Sequence, residues 1–145
     1  MADLSTHIFR VSLKPRLYRD IGIKSDESLA ELAEVIVKAF DFNFDHAYGF
    51  FSAMKGNVYK SPVRYELFAD VDGGREARSV KRTKVGDAFA LVGSKMLFLF
   101  DYGDEWRFKV EVIAMGEAAS GGRYPKKLST VGKAPVQYPD PDEVD

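Results

Sequence analysis

Residues 96–112, MLFLFDYGDEWRFKVEV, decide the fold, because this stretch reads as a β-hairpin with its own turn signal. Met96, Leu97, Phe98, Leu99 and Phe100 run without a polar break, the pattern of a strand covered on both faces. Asp101-Tyr102-Gly103-Asp104 follows, and Gly103 is the residue expected to supply the positive φ of a tight connection. The chain then returns in strict alternation. Trp106, Phe108, Val110 and Val112 fall on one face, and Arg107, Lys109 and Glu111 on the other. A central strand followed by a half-exposed one is the expectation. The turn between them gathers Asp101, Asp104 and Glu105 beside the only tryptophan, which makes this rim the first place to look for chemistry.

Working outward, residues 7–13 and 17–23 alternate in the same way and are joined by Lys14-Pro15-Arg16, an opening hairpin. Next comes SDESLAELAEVIVKAF. Ser28 and Glu31 have the spacing of a capping box, and Leu29, Leu32, Ala33, Ile36, Ala39 and Phe40 form one apolar stripe at helical spacing. An amphipathic helix of this kind must bury its stripe on a sheet. In DFNFDHAYGFFSAM, Phe42, Phe44, Tyr48, Phe50 and Phe51 surround His46; a loop to Asp45 and a strand from about Ala47 to Met54 are expected. Lys55-Gly56-Asn57 reads as a turn and residues 63–69 as a further strand. From Asp70 to Lys84 the composition shifts to glycine and basic residues, the signature of a long mobile surface loop. Residues 85–89 suit a short helix or turn. Beyond Ile113 periodicity is lost, and Gly121-Gly122 with Pro125, Pro135, Pro139 and Pro141 argues against long regular elements.

The whole reads as α+β: a single domain over residues 1–134, an antiparallel or mixed sheet on one main amphipathic helix, and a Pro/Asp-rich acidic tail over 135–145. A chain of 145 residues with 46% hydrophobic content can bury an ordinary core. Its formal charge of −1 gives the molecule no overall bias toward nucleic acid or anionic membrane. No cysteine is present, which removes disulfides, thiolate metal sites and thiol nucleophiles together. No apolar run reaches the ~18 residues of a membrane span, and no signal peptide opens the chain, so a soluble cytoplasmic protein without membrane association is expected.

Several pieces together resemble the plasmid pRiA4b ORF-3-like family, some members of which are carried by bacterial insertion elements. The resemblance runs through VSLKPRLYRDI, SLAELAEVIVKAF, FDHAYGF, TKVGDAF, LFLFDYGDEWRFKVEV, RYPKK and GKAPVQYP. Its most specific string is aromatic-Asp-aromatic-Gly-Asp-any-Trp, here Phe100 to Trp106. The family pattern has a tryptophan where this chain has Tyr18, a histidine where it has Ala33 and another where it has Phe108. A site needing those histidines cannot form here. The resemblance implies a compact α+β fold of the α-β roll or β-grasp-like kind and no established biochemical activity.

Two functional classes follow. The first is a non-enzymatic binding or interaction module for a protein or nucleic-acid partner, with Arg19, His46, Tyr102, Trp106 and Arg107 as its exposed or half-exposed contact set; Trp, Tyr and Arg commonly carry interface energy. The second is a metal-assisted hydrolase or nuclease using Asp101, Asp104, Glu105 and His46, which requires those side chains to converge on one ion. For each the plain structural reading stands beside it. Asp101 and Asp104 can cap amides of the turn, and His46 can be a packed histidine bonded to a carbonyl. The chain holds only His7 and His46, so one copy cannot build a multi-histidine metal centre. Arg75, Arg78, Lys81, Arg82 and Lys84 form a candidate nucleic-acid contact, or simply a solvated loop. Hydrolase, phosphate-loop and dinucleotide motifs are missing, and no cofactor is implied.

Overall fold

In the computed structural model, which describes residues 5–70, 77–117 and 122–138, the expected hairpin is the middle of one sheet. The strands are β1 (Thr6–Lys14), β2 (Leu17–Lys24), β3 (Tyr48–Phe51), β4 (Arg64–Glu66), β5 (Arg78–Ser79), β6 (Lys95–Phe100), β7 (Trp106–Gly116) and β8 (Lys126–Val131). The main helix is α1 (Leu29–Ala39); α2 (Val85–Ala88) is a single turn, and 3₁₀ turns occupy Val58–Lys60 and Leu67–Asp70. Among the described residues the order across the sheet is β5-β4-β3-β6-β7-β1-β2-β8. Every pairing is antiparallel except the parallel β4–β5 pair, so the architecture is sheet-dominated α+β with a mixed sheet of eight strands. Among the described residues no helix is long and apolar enough to cross a membrane.

Burial explains the centre. On one side of β6, Phe98 and Phe100 join the main core with Phe9, Val11, Ile21, Ile23, Phe50, Phe108 and the stripe of α1; on the other, Leu97 and Leu99 join Phe51 and Val58 in a smaller cluster. The uninterrupted apolar run is therefore covered on both faces, as its sequence required. The helix begins where expected: the Ser28 Oγ accepts the Glu31 amide at 3.1 Å, satisfying an orphan donor. Its buried face is Leu29, Leu32, Ala33, Ile36 and Val37.

The turn differs from expectation. Positive φ falls on Asp101 (68°) and Glu105 (55°), not on Gly103. The connection is five residues long and closes as an α-turn, the Glu105 amide donating to the Asp101 carbonyl at 2.6 Å. Asp101 tolerates the left-handed region because its own Oδ1 accepts the amides of Gly103 (3.0 Å) and Asp104 (3.2 Å). Glycine at 103 is favoured by space: a Cβ there would lie 3.3 Å from that Asp101 oxygen.

Two strands lie where none was expected. β8 pairs with β2 from Tyr18↔Val131 to Gly22↔Lys126 beyond the point where periodicity is lost, and it is a sheet edge. Its residues 127–130 are exposed, so no alternation marks it in the sequence. β5 lies inside the segment read as a long loop, and the chain after it is tied to the start of α1: the Leu29 amide donates to the Thr83 carbonyl and the Ala30 amide to the Val80 carbonyl. Residues 71–76, Arg75 among them, and the acidic end 139–145 lie outside the described residues.

Phe98 meets the rings of Tyr48, Phe50, Phe100 and Phe108 at centroid distances of 5.7, 4.8, 6.4 and 5.7 Å. Phe98→Ala should therefore lower the unfolding free energy by about 3–5 kcal/mol, read from the denaturant midpoint.

Candidate binding site at the end of the central hairpin

The helix ends in a Schellman turn built on an aspartate. Asp41 takes φ 60°, its amide donates to the Lys38 carbonyl, and the Phe42 amide donates to the Val37 carbonyl. The chain is thereby turned across the end of β6 and β7. Phe42 packs edge-on against Trp106 at 4.8 Å, Phe44 lies over Tyr48 at 5.3 Å and Phe100 at 6.1 Å, and His46 stands edge-on to Phe100 at 6.1 Å. The Asp101 amide donates to the Ala47 carbonyl at 2.8 Å and locks the hairpin end to this segment.

The returning C-terminal segment completes the arrangement. The Gln137 amide group is buried and clamps one residue of the loop, its Oε1 accepting the Asn43 amide at 2.7 Å and its Nε2 donating to the Asn43 carbonyl at 3.1 Å. Tyr138 Oη donates to Asp45, 3.0 Å from each carboxylate oxygen, and contacts His46 Nε2. The same nitrogen lies 3.4 Å from Asp101 Oδ2 and 3.6 Å from Asp45 Oδ1. The bonds are all satisfied when His46 Nε2–H donates to the Tyr138 oxygen and the Tyr138 hydroxyl donates to Asp45. Desolvation first, and then the bond to Asp45, push the Tyr138 phenol up to about 12, so it stays a donor at neutral pH.

Beside His46 opens a cleft of about 540 Å³, bounded by the outer face of α1 (Ala30, Glu31, Glu34), the loop from Phe44 to Tyr48, and Leu67 and Phe68 of the second 3₁₀ turn, with Lys81 at its wall. Tyr48 is only 2% exposed, and its hydroxyl makes no hydrogen bond to the described residues. Burial, with the Glu34 and Glu31 carboxylates adding to it, pushes this phenol up to about 12.

The residues expected to form one contact set are distributed. Arg19, expected at the surface, is 3% exposed. Its guanidinium donates to the carbonyls of Ala39 (3.1 Å), Tyr18 (2.9 Å) and Val131 (3.0 Å) and stacks 4.8 Å over Phe40. It joins β2, β8 and the end of α1, and its buried charge is satisfied by the three carbonyls it donates to. Tyr102 and Arg107 belong to the opposite face of the sheet. Tyr102 donates to Glu66 at 2.7 Å and packs against Tyr59, while Arg107 donates to the Gly56 carbonyl (3.1 Å) and Glu105 (2.8 Å). Burial, then the bond to Glu66, raises the Tyr102 phenol far above its ordinary value. Trp106 is half-buried beside Phe42, and among the described residues its Nε1 is the one fully enclosed side-chain polar atom without a partner.

Of the four residues named for a metal, only Asp101 and His46 come together. Asp104 is exposed, Glu105 is paired with Arg107, and among the described residues no three His, Asp or Glu side chains are placed to hold an ion. Of the basic set, Arg78, Lys81, Arg82 and Lys84 follow one another on β5 and the turn after it, Lys81 reaching the cleft. Asp45 is legible in the sequence beside His46. Tyr48, Gln137 and Tyr138 are not: the last two act on residues more than ninety positions away.

The fold defines a sheet-rich α+β protein. Its sequence matches the model of the plasmid pRiA4b ORF-3-like proteins over residues 5–138, and the chain belongs to that family. No curated protein matches it. Among solved structures it is similar to a protein of unknown function, MM3350 from Methanosarcina mazei Go1, with 22% identity, a TM-score of 0.73, and coverage of 86% of this chain and 68% of the other. That likeness is one of fold.

Arg19→Met should lower stability by about 2–3 kcal/mol in chemical denaturation, since it strips three carbonyls of a charged donor. A pH dependence follows from Tyr48. The unfolded chain releases this proton at the ordinary value of 10.0 and the fold at about 12. Above pH 10 the unfolded state thus binds fewer protons, so stability falls as pH rises through 10 to 12. Tyr48→Phe should make that alkaline decline of the unfolding midpoint shallower.

Proposed function

We propose that the chain is a non-enzymatic binding module whose ligand or partner occupies the cleft beside His46. The observation that carries this reading is the cleft itself. Three separate segments, α1, the loop 44–48 and the 3₁₀ turn at Leu67, border an open cleft of about 540 Å³, a volume in the range that small ligands fill. Phe44 and Phe68 keep 37% and 51% of their surface exposed at its wall, apolar area that a partner would cover. The Asp45–His46–Asp101–Tyr138 network supports the reading as scaffolding, since it holds one wall from three directions. His46 lines this cleft, and Trp106 packs on Phe42 of the same loop; Tyr102 and Arg107 are candidates for a contact on the opposite face.

The basic run Arg78, Lys81, Arg82 and Lys84 keeps nucleic acid as the second partner class, because these side chains stand on a strand and turn fixed to α1 and so hold a defined spacing. The two partner classes separate by mapping. Amide chemical shifts followed during titration with a fragment collection should move at residues 30–34, 44–48 and 67–68, and Phe68→Asp should abolish the movement without changing the thermal midpoint. Shifts confined to 78–84 on adding an oligonucleotide, lost steeply with salt, would move the reading to nucleic acid. No response at the cleft to any compound would overturn the cleft as the binding site.

A further inference from the structure

The cleft's chemistry specifies more than that it binds. We propose that it takes an organic cation, an ammonium or guanidinium group on an apolar stem; this rests on the binding-module reading above. Its walls carry three carboxylates, Glu31, Glu34 and Asp45, against one ammonium, Lys81. Glu31 has no ion-pair partner among the described residues. Glu34 pairs with Lys38 at 3.3 Å, but that lysine side chain is 67% exposed, so the pair is weak and exchangeable. Asp45 accepts the Tyr138 hydroxyl at 3.0 Å and the Gln137 amide at 3.4 Å, lies 3.6 Å from His46 Nε2, and pairs with no lysine or arginine among the described residues.

The aromatic walls fit the same ligand. Phe44, Tyr48 and Phe68 line the cleft, and ring faces attract a cation while covering its stem. A further observation points to a donor-bearing guest. Tyr48 is more than nine-tenths buried, yet its hydroxyl has no partner among the described residues. Since Trp106 Nε1 is the one fully enclosed unpartnered side-chain polar atom among them, the Tyr48 oxygen opens to the cleft that it lines. There it can accept an N–H from the guest. Buried phenol, carboxylates on either side and aromatic walls together favour a positively charged donor over an anion or a neutral hydrocarbon.

The same head group occurs on free amines and on lysine or arginine side chains, and the test distinguishes them. Calorimetry and amide-shift mapping on the full chain would compare 1,4-diaminobutane and agmatine, neutral counterparts without an ionisable nitrogen such as N,N′-diacetyl-1,4-diaminobutane, and short peptides containing lysine or arginine. Cations should shift residues 31, 34, 44–48 and 68 and bind at least about tenfold more tightly than the neutral counterparts. Glu31→Gln with Glu34→Gln should weaken them about tenfold, Tyr48→Phe severalfold, and Lys81→Ala should tighten them, a gain that a purely structural role does not produce. Unchanged thermal midpoints would show that the variants are folded, and Lys81→Ala keeps the test decisive if the acidic double variant is not. Tighter binding of the free amines assigns a small-molecule ligand, and tighter binding of the peptides assigns a protein segment. Equal binding of neutral and cationic compounds in the cleft would overturn the cation proposal while leaving the binding module standing. An unresponsive cleft would remove both.

Discussion

Burial of β6 on both faces is the constraint from which the rest of the structure follows. A strand with no charge between Met96 and Phe100 cannot face water on either side, so it needs partners on both edges and cover on both faces. β3 and β7 supply the edges, α1 covers one face through the Phe98 and Phe100 aromatic seam, and the Val58 turn covers the other through Leu97 and Leu99. The place where β6 stops is consequently the place where the surrounding segments must be tied off, and Asp101 does this. One of its oxygens folds its own turn, the other faces His46, and its backbone amide holds Ala47. The candidate site is thus a by-product of ending a fully buried strand.

What was legible in the sequence tracks burial. The hairpin, the capped helix and the opening β-pair each place an apolar face in the core, and each shows the matching period. β8 was illegible because an edge strand that buries little imposes no alternation, and β5 because two residues cannot show a period at all. The turn illustrates a different limit. Glycine at 103 suggested positive φ at that residue, but a longer connection moved the left-handed positions to Asp101 and Glu105 and left glycine as the residue that fits against a capping carboxylate. Composition identified the turn but not the division of labour inside it.

The site was partly legible for a related reason. His46 and Asp101 could be singled out because each stands in an unusual local string, and they do meet. Arg19 lies inside, against the surface position its sequence suggests, because periodicity reports apolar burial and is silent on a guanidinium buried against three carbonyls. Gln137 and Tyr138 carried no local signal. Their roles arise from a long-range return of the chain over the loop after α1, where a side-chain amide substitutes for one more strand pairing.

Charge balance shows the same contrast between global and local description. A formal charge of −1 says that the molecule has no overall field, yet the pairs are unevenly placed. The strands carry their own compensation: Arg10 is bidentate on Asp20, Arg107 meets Glu105, and Lys109 meets Glu111. Those pairs neutralise charge where the sheet is open to water, where screening would weaken any field. At the cleft the carboxylates outnumber the ammonium and are set among aromatic rings of low polarity, with a phenol that stays protonated. Charge left uncompensated in such a recess acts at short range and at lower effective dielectric than the same charge on a flat surface. A nearly neutral chain can in this way carry a local excess of one sign at a point where its overall composition gives no preference.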